Sequence, residues 1–184
     1  MALPLDRQRV AELLCFRTVQ RNTLAVQNDR GKSETLLLGV AAAMVGDLAR
    51  LAGDLIWFSS EELGYLKLAE EVTTGSSIMP QKRNPDVLEL IRASAARLRA
   101  RQIEAAGIYG GLPSGYHRDL QLTKEPFVEG MQLCLDALRA MQPVLRTLEI
   151  DEARCRRALQ PAIGATDAVY RMVRQGQPFR AAYK

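Results

Sequence analysis

Residues 33–58 read SETLLLGVAAAMVGDLARLAGDLIWF. Within them Leu37, Val40, Met44, Leu48, Leu51 and Leu55 step by three and four residues, the spacing of one face of an α-helix. The stretch predicts a single amphipathic helix that starts near Ser33, carries Glu34 in its first turn against the helix dipole, and ends near Phe58 before Ser59 and Ser60. Gly39, Gly46 and Gly53 recur every seven residues inside it. Each glycine costs roughly 1 kcal/mol relative to alanine in a helix interior, so the series marks either a close helix-to-helix approach or a coincidence.

Outward from this helix the same periodicity continues. After a loop from roughly Ser59 to Gln81, a second helix is expected to begin at Pro85, with Asn84 as its N-cap, Asp86 and Glu89 in the first turn, and Leu88, Ile91, Ala95 and Leu98 on its apolar face. A third is expected from about Glu125 to Leu148 on Phe127, Met131, Leu135, Leu138, Met141, Leu145 and Leu148, with Pro143 kinking or dividing it. Two short helices follow, Asp151 to Leu159 and Asp167 to Gln175, and Gly176 with Pro178 stops the last. No segment alternates with period two, and Val and Ile are sparse, so the chain is expected to be all-α. Helices of roughly 24 residues, about 36 Å long, are long for so small a chain and suit a bundle formed within the chain or between copies of it.

Composition narrows the function. With 184 residues, 47% hydrophobic and 25% charged, disordered and collagen-like states are excluded. The longest uncharged apolar-rich run, Leu36 to Gly46, is far short of the roughly 20 residues of a membrane span, so none is expected. The start, MALPLDRQRV, has no apolar signal core, and a cytoplasmic location is expected. Cys15, Cys134 and Cys155 are too far apart for a zinc knuckle or a disulfide frame and read as reduced thiols. A formal charge of +4 suits anionic ligands, while 5% aromatics offers little base-stacking surface, so no nucleic-acid partner is expected.

The connector Thr73-Thr74-Gly75-Ser76-Ser77-Ile78-Met79-Pro80-Gln81-Lys82-Arg83-Asn84-Pro85 carries the chemistry. Gly75 permits a tight turn, two hydroxyls follow, two cations come next, and a helix N-terminus with free N–H groups closes the stretch. A serine hydroxyl acts as a base only where cations or backbone donors stabilise its alkoxide, which Lys82 and the loop amides can supply. The same residue types also suit a capped loop in which Asn84 is only an N-cap and Ser76 and Ser77 satisfy backbone groups.

Gly75 to Pro85 resembles the GSSxMPxKxNP signature of the fumarase/aspartase superfamily, whose members eliminate a group from the β-carbon of a succinate unit and release fumarate or a close analogue. The continuation Asp86-Val87-Leu88-Glu89-Leu90-Ile91-Arg92 is similar to the argininosuccinate lyase branch. So are Gly111-Leu112-Pro113-Ser114-Gly115-Tyr116-His117-Arg118-Asp119-Leu120-Gln121-Leu122-Thr123-Lys124-Glu125-Pro126 (LPxxYNxDLQxxKE in the family) and the tail from Ala165-Thr166-Asp167 to Phe179-Arg180. With Pro4-Leu5-Asp6-Arg7 and Ala11-Glu12-Leu13-Leu14, the resemblance spans essentially the whole chain.

The resemblance implies a reversible β-elimination of argininosuccinate to arginine and fumarate, with no metal or organic cofactor. It implies Ser76 as general base, with Ser77 as the fallback, and Lys82 as the stabiliser of the aci-carboxylate intermediate. It also implies Asn84, Tyr116, Gln121 and Lys124 as substrate-binding residues. Without it, Tyr116 reads as a packed aromatic and Lys124 as a solvated charge. It further implies a homotetramer with each active site built from three subunits. Residues 1–148 correspond to part of the central helical-bundle domain and 149–184 to the start of a small C-terminal helical domain.

Two departures stand out. His117, the only histidine, replaces the family's asparagine after the tyrosine, and no direct chemical role is assigned to it. The family subunit is also more than twice this length, and the half bearing its Thr-His proton donor has no counterpart here, so the chain is expected to be a C-terminal piece, inactive alone. The competing readings are a superfamily lyase for another succinyl adduct and a non-catalytic helical oligomerisation or crystallin-like module.

Overall fold

The computed structural model describes residues 4–79, 82–159 and 161–183. Eight helices carry the described chain: α1 (Arg7–Leu13), α2 (Thr23–Asn28), α3 (Lys32–Phe58), α4 (Asp86–Tyr109), α5 (Lys124–Thr147), α6 (Glu152–Ala158), α7 (Ala165–Arg174) and α8 (Phe179–Ala182). The all-α expectation holds, with one addition. Two ladders of two residues each pair antiparallel, β1 (Leu66–Lys67) with β4 (Glu149–Ile150) and β2 (Thr74–Gly75) with β3 (Arg83–Asn84). Contacts divide the chain into a first unit, Met1–Arg50 with Leu90–Ala140, and a second, Leu51–Glu89 with Met141–Lys184.

Local chemistry sets the helix ends. Asp6 accepts from the Arg9 N–H at 2.9 Å to start α1, and Asn22 accepts from Leu24 and Ala25 at 3.0 and 3.1 Å to start α2. At the head of α3, the Glu34 carboxylate reaches back to the Gly31 N–H at 2.9 Å, while Ser33 donates to Asp29 at 2.9 Å. The expected start of α4 shifts by one residue. Asn84 belongs to β3, Pro85 supplies the first accepting carbonyl to the Leu88 and Glu89 N–H groups, and the helix opens at Asp86. Pro143 lies inside α5 without dividing it. Asp151 caps α6 through the Arg154 N–H at 2.8 Å, and Gly176, at φ 94°, ends the turn after α7.

In the first unit the core joins Leu38, Ala41, Ala42 and Val45 of α3 to Leu98 and Ala105 of α4 and Cys134 and Ala137 of α5. Leu38, Val45 and Leu98 are fully buried, each contributing about 1.5–3 kcal/mol through removal from water. Gly130 of α5 makes the closest approach, since a methyl group there would overlap Leu38 and stand 3.0 Å from Leu98. Nearby, Arg101 of α4 holds Glu104 of its own helix at 2.6 Å and Glu129 of α5 at 2.5 Å. Its guanidinium is raised above the ordinary value, first by the Glu104 hydrogen bond.

The first half of α3 buries a different side from the one the periodicity marked. Leu37, Val40 and Met44 are 53, 61 and 46% exposed, while the neighbouring positions Leu38, Ala41, Ala42 and Val45 face inward. Further along, Leu48 packs against the core and Leu55 is buried, as expected. In α5, Met141 is buried and Phe127, Met131 and Leu138 pack against the core as expected, whereas Leu135 and Leu145 are exposed. Ala41, Ala42, Ala105 and Ala137 let the helices approach closely around Leu38 and Leu98. On α4 the expected face holds, with Leu88, Ile91 and Leu98 buried. Of the seven-residue glycine series, Gly39 abuts Gln102 and Gly46 has nothing near it. Contrary to the expectation that no segment is long enough, the 27-residue α3 is long and apolar enough to cross a membrane, since a few charges are tolerated over that length, but its inward face belongs to the core just described.

In the second unit Ala52, Leu55, Val72, Leu88, Met141 and Val144 are buried. The register of β1 and β4 sets Leu66 against Ile150 and Lys67 against Glu149. Gly64, at φ +55°, lies against the guanidinium of Arg154, which donates to the Glu61 carbonyl at 3.2 Å.

Candidate active-site segments

The connector that holds the serine pair lies in the second unit and is closed by a backbone clasp. In the β2–β3 ladder Thr74 pairs with Asn84 and Gly75 with Arg83, so Ser76 and Lys82 are the residues that flank the closing pair. Side-chain bonds brace both strands, Thr74 donating to the Asp86 carboxylate at the head of α4 and Arg83 pairing with Glu70. Between them the chain turns on Ser76, whose Oγ accepts from the backbone N–H groups of Ile78 and Met79, both at 3.3 Å. Ser77 is exposed, Lys82 is exposed and Asn84 is half-buried. The Lys82 N–H donates to the Met79 carbonyl at 3.0 Å. Pro80 and Gln81 of the motif lie outside the described residues.

This arrangement favours the first serine chemically. Two N–H dipoles directed at Ser76 Oγ stabilise negative charge on it, which a serine base requires and which no described contact provides for Ser77. A cavity of about 470 Å³ in the same unit is lined by Thr73, Arg83 and Pro85 from the motif together with Ile56, Lys67 and Glu89, and the serines stand outside its wall.

Tyr116, Gln121 and Lys124 lie in the first unit. Gly111 and Gly115, at φ 94° and 132°, bend the segment after α4 into a loop that one residue far earlier in the chain, Asn28, pins down. Asn28 accepts from the Gly115 N–H at 2.9 Å and donates to Ser114 Oγ at 3.2 Å. His117 Nε2 stands 2.8 Å from the Pro113 carbonyl, and since a carbonyl only accepts, that nitrogen carries the proton. Tyr116 is 62% exposed, and the Arg30 guanidinium lies over its ring, 4.8 Å from the centroid. A 3₁₀ turn, Arg118–Thr123, then leads into α5, with the Lys124 N–H donating to the Gln121 carbonyl. Positions three apart eclipse in such a turn, so Gln121 and Lys124 share one exposed edge.

The structure thus gathers Ser76, Lys82 and Asn84 on one clasped loop and Tyr116, Gln121 and Lys124 on another segment. Asn28 and Arg30, which stand in no motif of the sequence, contact the latter.

A lyase family model matches residues 2–99 of the chain, including the whole serine loop. The chain belongs to the lyase family. Argininosuccinate lyase of Thermotoga neapolitana is 43% identical over 99% of this lyase chain, which covers 46% of that protein. That of Sorangium cellulosum is 45% identical over 99% of the chain and is covered to 42%. The chain therefore spans less than half the length of these relatives. Among solved structures, an EDDS lyase in complex with formate superposes over the entire chain with a TM-score of 0.84 at 26% identity, 36% of it being covered. A fumarate lyase:delta crystallin from Brucella melitensis, at 17% identity and TM-score 0.72 over 95% of this chain and 43% of its own, shares the fold.

Proposed function

We propose that the chain supplies part of an active site for reversible β-elimination of argininosuccinate to arginine and fumarate. The observation that carries the reading is the clasped serine loop, with two backbone donors on Ser76 Oγ, in a chain 43–45% identical to argininosuccinate lyases. Ser76 removes the proton from the succinyl β-carbon, and the electron pair left behind is delocalised into the adjacent carboxylate as an aci-carboxylate facing Lys82. Collapse of that intermediate breaks the C–N bond, and a general acid protonates the leaving nitrogen. Asn84 holds the succinyl end, and Tyr116, Gln121 and Lys124 hold the amino-acid end.

Residues 1–148 then form part of a central helical bundle and 149–184 the start of a C-terminal helical domain. The working assembly is a soluble cytoplasmic homotetramer with sites shared between subunits. The outward apolar positions Leu37, Val40 and Met44 of α3 support self-association.

The test is complementation. The chain alone is expected to release no significant fumarate from argininosuccinate, because loss of a general acid alone costs roughly 10²- to 10⁴-fold. Mixed with, or fused to, the N-terminal half of an argininosuccinate lyase, it is expected to turn over. Turnover by the isolated chain at the rate of a full-length relative, or none in any complemented assembly, overturns the reading. Adenylosuccinate, aspartate and malate serve as competing substrates.

A further inference from the structure

The serine loop is closed by only two ladder pairs, and a hairpin so short is marginal in water by itself. Its closed form therefore depends on what its side chains grip. Each pair is fastened to a fixed point outside the loop. In the outer pair, Thr74 donates to the carboxylate of Asp86, which opens α4 just before the fully buried Leu88. In the inner pair, Arg83 is bonded to Glu70, whose 3₁₀ turn, Glu70–Val72, is anchored by the buried Val72. Successive strand residues point to opposite faces, so Arg83 points away from Asn84 and one brace lies on each face of the ladder. Arg83 and Glu70 line the cavity from whose wall the serines are absent, together with Glu61, Lys67 and Glu89.

Ser76 directly follows the inner pair, and the two N–H groups that converge on its Oγ come from Ile78 and Met79. A ladder that opens releases Ser76 from the strand that fixes it, and the donors lose their common target. We propose that Thr74 and the Glu70–Arg83 pair are positioning residues for the β-elimination. They hold the loop closed around Ser76 and act on proton removal through that oxygen, without touching the ligand. The reaction they serve rests on the functional reading above, whereas the closure rests on the two braces. Because the ladder alone is marginal, even a weak contact shifts the fraction of molecules in which the loop is closed.

Hydrogen exchange over residues 74–84 of the purified chain reads the closure without any turnover. Thr74→Val is expected to speed exchange about 10-fold or more, the effect of losing a charge-assisted bond, and Glu70→Gln and Arg83→Gln about 2- to 5-fold each, the effect of losing an exposed ion pair. Such a pair adds little to global stability, so the denaturation midpoints of the last two variants should hardly move. Exchange unchanged in all three variants overturns the proposal. In a complemented assembly the same substitutions should lower kcat by up to those factors with KM nearly constant, the pattern of an interaction realised only in the transition state. Arg83→Lys, which keeps the charge, should retain most of the rate. Since Glu70 and Arg83 act as one unit, the double variant Glu70→Gln/Arg83→Gln should be no slower than either single one. Losses that multiply in the double variant, or a KM that rises in Thr74→Val or Arg83→Gln while kcat is kept, reveal groups that hold substrate themselves and overturn the proposal. Full kcat in every variant does the same. Faster exchange with no turnover in any complemented assembly overturns the functional reading and leaves the braces standing.

Discussion

The two backbone N–H groups on Ser76 Oγ separate otherwise similar hydroxyls. In a complemented assembly Ser76→Ala is expected to abolish elimination while leaving ligand affinity nearly unchanged, because the oxygen acts on a proton in transit and not on the bound ground state. Ser77→Ala should be milder, and Lys124→Ala should weaken binding by roughly 1.5–3 kcal/mol through loss of a charge-assisted contact. Steady-state turnover beside calorimetric affinity reads these apart, and turnover kept in Ser76→Ala but lost in Ser77→Ala moves the base to the second serine. At Cys134, burial pushes the thiol above its ordinary value. Its folded-state proton is held more tightly than in the unfolded chain, so its share of stability is whole at neutral pH and falls as pH climbs past the ordinary thiol range near about 8.5. A thiol reagent at pH 8 should label exposed Cys15 in the folded chain and reach Cys134 only after denaturant, and rapid labelling of folded Cys134 would contradict this. Ser76 and Lys82 were legible because their chemistry lies within one short motif. The contact of Arg30 with Tyr116 was not, since it joins residues far apart in the chain and belongs to no motif.

Helix positions followed from spacing, as did the buried side of α4 and most of that of α5, but the side buried by the first half of α3 did not. A periodic reading weights large side chains, and there Leu37, Val40 and Met44 are the outward ones, while Leu38, Val45 and the small Ala41 and Ala42 fill the narrow space between the rods. Gly130 gives this a measurable form. Gly130→Ala adds a methyl where Leu38 and Leu98 already meet the backbone, an overpacking cost of about 1–3 kcal/mol that outweighs the helical gain of up to roughly 1 kcal/mol. A lower denaturation midpoint is expected. Gly46→Ala meets no neighbour within the chain and should raise the midpoint through helix propensity alone. Equal midpoints for the two variants would place Gly130 outside any tight contact. The helices α1 and α2 went unforeseen because they are short and mostly exposed, and their caps Asp6 and Asn22 were the only signals available.

For the molecule as a whole, the helical class was readable from periodicity, whereas ladders of two residues are too short to show any alternation. In the first unit Leu37, Val40 and Met44 on α3 and Leu135 on α5 leave large apolar side chains exposed, which suits burial against a second copy. Light scattering at micromolar concentration is expected to return a particle larger than the 20.4 kDa chain, and a monodisperse 20.4 kDa species would refute self-association. One pair of contacts in the loop before α5 bears on how that loop keeps its course. The single imidazole of the chain donates from Nε2 to the Pro113 carbonyl, and Asn28 of α2 holds Ser114 and Gly115 between those two points. A stretch carrying two positive-φ glycines is thus stapled once from within and once from a distant helix, and a path that glycine alone would leave free is narrowed to one.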